Sequence, residues 1–289
     1  MTDNKGASAP SNKHNLPDWL YDVVVGTQGE YQPGKKTDYS VTTLLMPSMQ
    51  YGLIQKYGKE QDIADMLAAF DGTALHNQVE RILTQNDRYV CEERFYRDVN
   101  IGTKVVTISG QIDLYDKERK AITDCKRTGW WKFAGGDMFD YEAQLNMQRW
   151  LMKDYEVERL FIGGFIKDWN RIKALQGKYP PIPFIEHPIP LWPEHAITDF
   201  IINSVRQKEK AKKGMCPPCT REERWQREDK WKVFRVGGKR ASKVFYNEEE
   251  AVVYSEQIGG YVKKEEGEAV RCMNFCPVLK HCPLHKEEM

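Results

Sequence analysis

The sequence lacks any apolar run near the roughly 18 residues of a membrane-spanning helix, and neither sign of charge is in excess. Its 289 residues carry 43 basic and 42 acidic side chains, which gives a net charge of +1. The polar start also lacks the apolar segment of a secretory signal. These absences predict a cytoplasmic protein with no membrane partner, in which any nucleic-acid surface is a local patch.

Disulfide bonds are not expected either, although the chain has seven cysteines. The odd total, the clustering of five thiols in the last quarter and the missing export signal argue against a disulfide framework and favour a metal site. The run "RCMNFCPVLKHC" spaces three of them as C-x3-C-x5-C. With one earlier thiol these would form a set of four, which suits zinc or a [4Fe–4S] cluster. The alternative is a group of free buried cysteines.

Composition divides the chain into three predicted parts. A polar, flexible arm covers residues 1–35, a core covers residues 36–213, and a cysteine-rich subdomain covers residues 214–289. The 40% apolar and 11% aromatic content is typical of a globular protein. We therefore expect one large folded core with a small subdomain after it.

Hydrophobic spacing predicts helices first and strands after them. "SVTTLLMPSMQYGLIQKYG", "QDIADMLAAF" and "TALHNQVERIL" have helical spacing, whereas residues 89–126 alternate with period two, which predicts a β-meander. The helix "DYEAQLNMQRWLMKDY", the buried strand "VERLFIGGFIKDW", a proline-rich extended connector and a helix from Pro193 to about Lys213 follow. A small hairpin and a short helix are expected after Cys216. This order predicts an α/β fold in which helices flank a mixed sheet.

Two carboxylates fall opposite each other if "QIDLY" and "AITDCK" form a hairpin closed by Asp116 and Ala121. Asp113 then pairs with Asp124, and Lys126 shares the face of Asp124 because side chains alternate along a strand. Opposed like charges repel, so the pair needs a cation or a shared proton. A hard divalent metal would satisfy both and could activate a water for attack on a phosphate. The alternative is an ordinary charged hairpin.

Two further motifs accompany this hairpin. "GTALHNQVE" puts His76 on a helix before the strands, and "YEAQLNMQRW" puts Gln144 on a helix after them. With "GQID" and "DCK", their order and spacing resemble the PD-(D/E)XK nuclease superfamily, and within it the RecB-like, phage-type exonucleases. The resemblance covers roughly residues 40–170 and implies a restriction-endonuclease-like core.

The resemblance also implies roles for individual residues. The ligands to Mg²⁺ or Mn²⁺ would be His76, Asp113, Asp124 and the backbone carbonyl of Cys125. Lys126 would be catalytic, and Gln144 would lie in the site. Glu92 or Glu93 could also approach from the neighbouring strand, and nothing in the sequence chooses between them.

The glutamine motif departs from the family pattern, because Gln148 stands where the family has a tyrosine that helps to hold DNA. Stacking on bases could come from tryptophans instead. The candidates are Trp130, Trp131 and Trp150. Core packing is the alternative role for each of them.

The cysteine-rich end resembles that of AddB-type and CRISPR-associated nucleases, which implies a [4Fe–4S] cluster with Zn²⁺ as the alternative. The expected thiolates are Cys219, Cys272, Cys276 and Cys282, with Cys216 as a substitute for Cys219. In a zinc site His281 or His285 could replace a thiolate. The lone cysteine precedes the nuclease core in those families, whereas here it follows the core.

Basic side chains near the end of the predicted core are candidate DNA contacts. In "RQKEKAKK" these are Lys208, Lys210, Lys212 and Lys213. "RVGGKRASK" is a second basic stretch. Such stretches are also common as solvated faces, but beside a nuclease core they could contact phosphates.

Together these features predict a metal-dependent deoxyribonuclease, expected to be an exonuclease of phage or mobile-element recombination and repair. Its partners would be DNA and a recombination or single-strand-annealing protein. The alternatives are a structure-selective endonuclease on the same core, a non-catalytic DNA-binding protein, and a zinc-dependent adaptor. An intact set of two aspartates and a lysine favours catalysis over a non-catalytic DNA-binding protein, and the zinc-dependent adaptor stays open.

Overall fold

The computed structural model describes residues 10–26 and 37–287. It is a mixed α/β structure whose sheets are flanked by helices, which confirms the predicted fold class at this level. The helices are α1 (Asp18–Gly26), α2 (Val41–Leu45), α3 (Ser48–Tyr57), α4 (Ile63–Leu83), α5 (Phe139–Leu151), α6 (Arg171–Leu175), α7 (Glu194–Lys212), α8 (Glu248–Gln257), α9 (Val270–Phe275) and α10 (Pro283–Glu287). In the described ranges, no helix has the length and apolarity that crossing a membrane requires.

The strands belong to three sheets. They are β1 (Tyr39–Ser40), β2 (Tyr89–Cys91), β3 (Arg94–Ile101), β4 (Lys104–Gln111), β5 (Leu114–Asp116), β6 (Ala121–Thr128), β7 (Arg159–Ile166), β8 (Phe184–Ile189), β9 (Lys230–Arg235), β10 (Ala241–Phe245) and β11 (Gly260–Glu265). One sheet has five strands in the order β2-β5-β6-β7-β8, with β6 and β7 parallel. The others have the orders β1-β4-β3 and β10-β9-β11.

The chain forms two compact units. The first unit contains the residues up to Met46 together with Glu60–Met215, and the second contains Pro47–Lys59 together with the residues from Cys216 onward. The sequence placed the boundary after residue 213, close to this division. It assigned Pro47–Lys59 to the core, whereas the structure places that segment in the second unit.

The arm predicted over residues 1–35 contains a helix. Residues 1–9 and 27–36 lie outside the described residues, but α1 lies inside the predicted arm. Val24 is 1% exposed in a core cluster with Ile63 and Met66 of α4. The description "flexible" is therefore wrong for this helix, because its apolar side chains are buried against α4.

Helix α4 is continuous, although the sequence predicted two helices here. It begins after Asp62, whose side chain accepts a hydrogen bond from the Ala64 amide at 3.0 Å. Gly72 lies in its interior, where glycine costs stability but does not break a helix. The helix carries His76 towards the five-stranded sheet, since α4 packs on β6 and β2.

The predicted meander is divided between two sheets. β3 and β4 form a hairpin that belongs to the three-stranded sheet with β1, whereas β2, β5 and β6 belong to the five-stranded sheet. The chain changes sheet at Glu92, which has a positive φ of 50°, and again between Gln111 and Leu114. Alternation alone does not show these changes, because each strand keeps its own period of two.

The core of the first unit lies between the five-stranded sheet and α5. Its buried cluster consists of Ile112, Tyr115, Ile122, Leu145, Met152, Leu160, Ile162 and Ile189. The proline-rich segment predicted as a connector supplies β8, which pairs antiparallel with β7. Asp124 and Lys126 therefore lie on the middle strand of five.

In the second unit a three-stranded antiparallel sheet packs on α8. The hairpin and short helix predicted after Cys216 correspond to β9, β10 and α8. The chain then adds β11 on the other side of β9. Val233, Phe245 and Ala251 form the buried cluster between sheet and helix.

Candidate active site

The hairpin of the two aspartates has the predicted register. Asp116 pairs with Ala121 and Leu114 pairs with Thr123, so Asp113, directly before β5, lies beside Asp124. Asp113 is 8% exposed and Asp124 is 1% exposed. Two carboxylates are thus buried side by side, which is costly unless positive charge or protons accompany them.

The imidazole of His76, on α4, lies between two carboxylates at one ring nitrogen and a backbone carbonyl at the other. Its Nδ1 lies 3.0 Å from Glu92 Oε1 and 3.5 Å from Asp113 Oδ1. Its Nε2 lies 3.0 Å from the carbonyl oxygen of Cys125. Ligand atoms of His76, Glu92 and Asp113 all lie within 4.8 Å of one another.

The neighbours of the imidazole fix its protons. A carbonyl only accepts hydrogen bonds, so the Cys125 oxygen requires a proton on Nε2, and the Glu92 carboxylate at Nδ1 requires a second. The hydrogen bond to Glu92 raises the pKa of His76 despite the opposing effect of burial. A divalent cation at Nδ1, between the Glu92 and Asp113 oxygens, would take the place of the proton on that nitrogen, so this donor set fits a metal.

Asp113 is held in place by the next strand. The amide of Cys125 donates to Asp113 Oδ2 at 2.7 Å. Burial, reinforced by the negative charge of Asp124, raises the pKa of Asp113 to about 7. Burial also raises the pKa of the Cys125 thiol to about 12, which leaves its backbone carbonyl as the group able to face a cation.

Asp124 is flanked by Gln144 and Lys126. Gln144 Nε2 donates to Asp124 Oδ1 at 2.8 Å, and Lys126 Nζ lies 2.7 Å from Asp124 Oδ2. The second contact is an ion pair that lacks ordinary hydrogen-bond geometry, so Oδ2 has no donor among the described residues. Burial alone would lower the pKa of Lys126, but the charges of Asp124 and Asp113 outweigh it and raise that pKa.

The structure brings together the site residues predicted from the sequence, and it selects between two that were left open. Glu92 faces His76, whereas Glu93 is exposed. The left-handed backbone at Glu92 turns its side chain to the site, and Gln111 Nε2 donates to Glu92 Oε2 at 2.7 Å. Gln111 belongs to the "GQID" motif, but its role was not predicted from the sequence.

Tyr141 is another neighbour that the sequence did not single out. The Lys126 ammonium lies 5.6 Å from the centre of its ring, and the Lys132 ammonium lies 4.7 Å from the same ring. Tyr141 precedes Gln144 by three residues, so helical spacing places both on one face of α5. That spacing is the signal that could have identified it.

Two residues that bear on how DNA would be held are buried: Gln148, at the position of the family's tyrosine, and Trp150, for which core packing was the alternative to stacking. Gln148 is 2% exposed and donates to the Gln111 carbonyl at 2.8 Å, so it supports the strand below the site. Trp150 is 4% exposed, with the Arg97 guanidinium over its ring. Trp131 is 67% exposed, so it remains a candidate for stacking on bases.

Lys208 is also not a DNA contact. It is 2% exposed, and its Nζ donates to the carbonyl of Met46. It continues the buried stripe of α7 that includes Ile201 and Val205. Lys210, Lys212 and Lys213 are exposed, although Lys212 also pairs with Glu209.

The cysteine set lies in the second unit around one pocket. The thiols that line it belong to Cys219, Cys272, Cys276 and Cys282. Burial, reinforced by the negative charge of Glu223 and by the other three thiols, raises the pKa of Cys219 to about 12. Cys216 is not among the lining residues, and His281 stacks on Tyr57 with 4.1 Å between ring centres.

No protein-family model matches the chain, and no curated protein matches it. The crystal structure of a protein named SSO0001 is similar, with 20% sequence identity and a TM-score of 0.48. The match covers 66% of this chain and 86% of that one. Likeness at this level carries no argument about function, which therefore rests on the site.

Proposed function

We propose that this protein is a metal-dependent nuclease of the PD-(D/E)XK type that hydrolyses phosphodiester bonds in DNA. One observation carries the proposal: two buried carboxylates on neighbouring strands lie between a histidine and a lysine. A structural ion pair would need neither the second carboxylate nor the imidazole. Opposed acids with a lysine beside them are typical of sites where a cation and a phosphate meet.

The donor atoms favour Mg²⁺ or Mn²⁺ because carboxylate and carbonyl oxygens dominate the set. The residues that would hold the ion are His76, Asp113, Asp124 and the carbonyl of Cys125, with Glu92 beside them. Asp124 Oδ2 is buried and lies 2.7 Å from the Lys126 ammonium, and a carboxylate oxygen has a second lone pair to offer a cation. When bound, such an ion polarises a phosphate oxygen and acidifies a water.

The other residues would orient and balance charge. Gln144 fixes Asp124 through its 2.8 Å hydrogen bond. The raised pKa of Lys126 keeps this ammonium charged, so it can stabilise the negative charge that develops on the phosphate. Gln111 holds Glu92 in the same way that Gln144 holds Asp124.

The test is cleavage of end-labelled linear DNA and closed circular DNA with Mg²⁺, Mn²⁺ or a chelator. We expect metal-dependent shortening of the linear DNA from its ends, abolished by Asp124→Asn. Cutting of the circle would instead favour the endonuclease on the same core. Asp154→Asn, the same chemical change at an exposed aspartate, is the control. Wild-type cleavage by Asp124→Asn would overturn the proposal.

We further propose that the four thiols hold a [4Fe–4S] cluster. A tetrahedral zinc with Zn–S bonds of about 2.3 Å needs sulfurs about 3.8 Å apart. In the described part of the chain, no three thiols lie within 4.8 Å of one another. A cubane cluster binds each thiolate to a different iron and so accepts a wider set. Iron and sulfide analysis against zinc analysis of the purified protein distinguishes the two.

A further inference from the structure

The sheet of the second unit has two faces. Helix α8 packs on one face, and the other carries aromatic rings and lysines. On β9, Val233 points into the cluster with α8, so Lys232 and Phe234 point the opposite way. β11 pairs in register, with Tyr261 opposite Phe234 and Lys263 opposite Lys232. We call these four residues the open face.

The rings on the open face are already arranged as a stack. The centres of Phe234 and Tyr261 lie 5.5 Å apart, with 16° between the ring planes. Tyr261 is 50% exposed, and Val244, opposite Lys232 on β10, is 41% exposed. Phe234 is half-buried, so the exposed Tyr261 ring, supported by Phe234 beneath it, is a surface on which flat bases can stack.

The charge of the open face is unbalanced. Lys232 and Lys263 are direct cross-strand partners, and like charges in that position repel. Glu265 pairs with Lys232, but in the described residues no carboxylate lies within ion-pair distance of Lys263. The hairpin over residues 230–245 has six basic and no acidic side chains, in a chain of net charge +1. An anionic ligand would relieve this repulsion.

We propose that the open face binds single-stranded DNA, with bases stacked on Tyr261 and Phe234 and phosphates beside Lys263 and Lys232. Duplex DNA hides the faces of its bases, so the rings would serve unpaired nucleotides only. The choice of DNA rests on the proposed nuclease function. The site itself is distinct in residues and unit from the carboxylate site.

The test is fluorescence anisotropy of the full-length protein with labelled oligo-dT of about 20 nucleotides, without added divalent cation so that no cleavage occurs. Tyr261→Leu keeps apolar area but loses the ring, and we expect a roughly tenfold increase in Kd. Tyr261→Phe should bind as the wild type does. Lys263→Gln should reduce the slope of log K against log salt by about 0.7.

The controls separate this face from general effects. Lys243→Gln removes the same charge from the helix side of the sheet, where Lys243 lies over the Phe245 ring at 4.7 Å, and should leave the slope unchanged. Equal oligo-dT binding by Tyr261→Leu and Tyr261→Phe would overturn the proposal. So would an equal loss on duplex DNA, or tighter binding of oligo-U by the wild type.

Cleavage distinguishes a failure here from a failure of the proposed function. Tyr261→Leu should cut at the wild-type rate once DNA is saturating, because the ring is outside the carboxylate site. An inactive wild type that still binds oligo-dT through Tyr261 would overturn the nuclease and leave the open face intact.

Discussion

Each ring nitrogen of His76 faces an oxygen atom, and this arrangement governs how the metal-free site responds to pH. The pKa of Asp113 is raised to about 7 and that of His76 is raised as well. A raised pKa means that the folded state binds protons which the unfolded chain has already released. The free energy of unfolding should therefore fall as pH rises from about 5 to about 8.

Asp113→Asn tests this behaviour. The amide cannot ionise, so this variant should unfold at higher urea concentration than the wild type at pH 8 and lose that advantage progressively as pH falls from about 7 to about 4. Urea unfolding of metal-free protein across this range measures it. If the wild type and the variant keep the same pH slope, Asp113 is not the group that titrates.

Lys208 and Lys210 make a matched pair on α7. Lys208→Ala leaves a cavity and removes a donor from the Met46 carbonyl, so we expect a loss of about 2 kcal/mol. Lys210 is exposed, and Lys210→Ala should change stability by less than about 0.5 kcal/mol. Thermal or urea unfolding compares the two. Equal effects would show that burial of Lys208 contributes nothing.

At the scale of single residues, the sequence predicted the side-chain positions that follow from strand alternation. It missed those that depend on one backbone angle. Asp113, Asp124 and Lys126 share a site because of period two. Glu92 could not be chosen over Glu93, since a left-handed residue at the change of sheet decides which side chain faces inward. The burial of Lys208 could have been predicted, because helical spacing places it on the same face of α7 as the buried Val205, three residues earlier.

Among the elements, α4 is the one whose continuity the sequence obscured. Gly72 suggested a break between two helices, yet the helix runs through it with nothing within 4 Å of an added Cβ. The strand prediction failed differently, since residues 89–126 were assigned to one meander, whereas the structure has five strands there that belong to two sheets. Register could be predicted for a tight hairpin, whereas sheet membership depends on where the chain bends.

Gly72→Ala should stabilise the protein by about 0.5–1 kcal/mol, because alanine loses less backbone entropy on forming a helix. The contrasting variant is Gly164→Ala, whose Cβ would lie 2.4 Å from Phe133 Cζ and should destabilise it. Urea unfolding measures both. A destabilised Gly72→Ala would mean that α4 is not continuous in solution.

For the whole molecule, the proposed cluster would tie Cys272, Cys276 and Cys282 to a segment that begins some fifty residues earlier, with only a small core between them. Cys276→Ser and Cys282→Ser should lower the melting temperature and the bound metal together, because metal binding adds to folding free energy. Nuclease activity should fall only as a consequence.

Cys216→Ser is the matched control for this prediction, since Cys216 does not line the pocket of the other thiols. Its metal content and melting temperature should equal those of the wild type. Loss of metal in Cys216→Ser but not in Cys219→Ser would exchange their roles. Stable, active protein without bound metal would contradict a structural site of either kind, iron–sulfur or zinc.

The sequence located the second unit by its cysteines but missed its first segment. Pro47–Lys59 has the same helical spacing as its neighbours, and nothing in its composition separates it from the core. Its contacts reveal its place, because Met49 and Leu53 of α3 line the pocket with the thiols and Tyr57 stacks on His281. Long-range partners of this kind leave no local pattern in a sequence.

The division of the second unit between two distant segments sets an order of events during synthesis. Helix α3 leaves the ribosome early, whereas the residues from Cys216 onward, which complete its unit, leave last. Until that later segment is synthesised, Met49 and Leu53 lack the residues that they contact in the folded unit. Completion of the second unit is thus a long-range closure, the kind of contact that slows folding and leaves apolar surface exposed meanwhile.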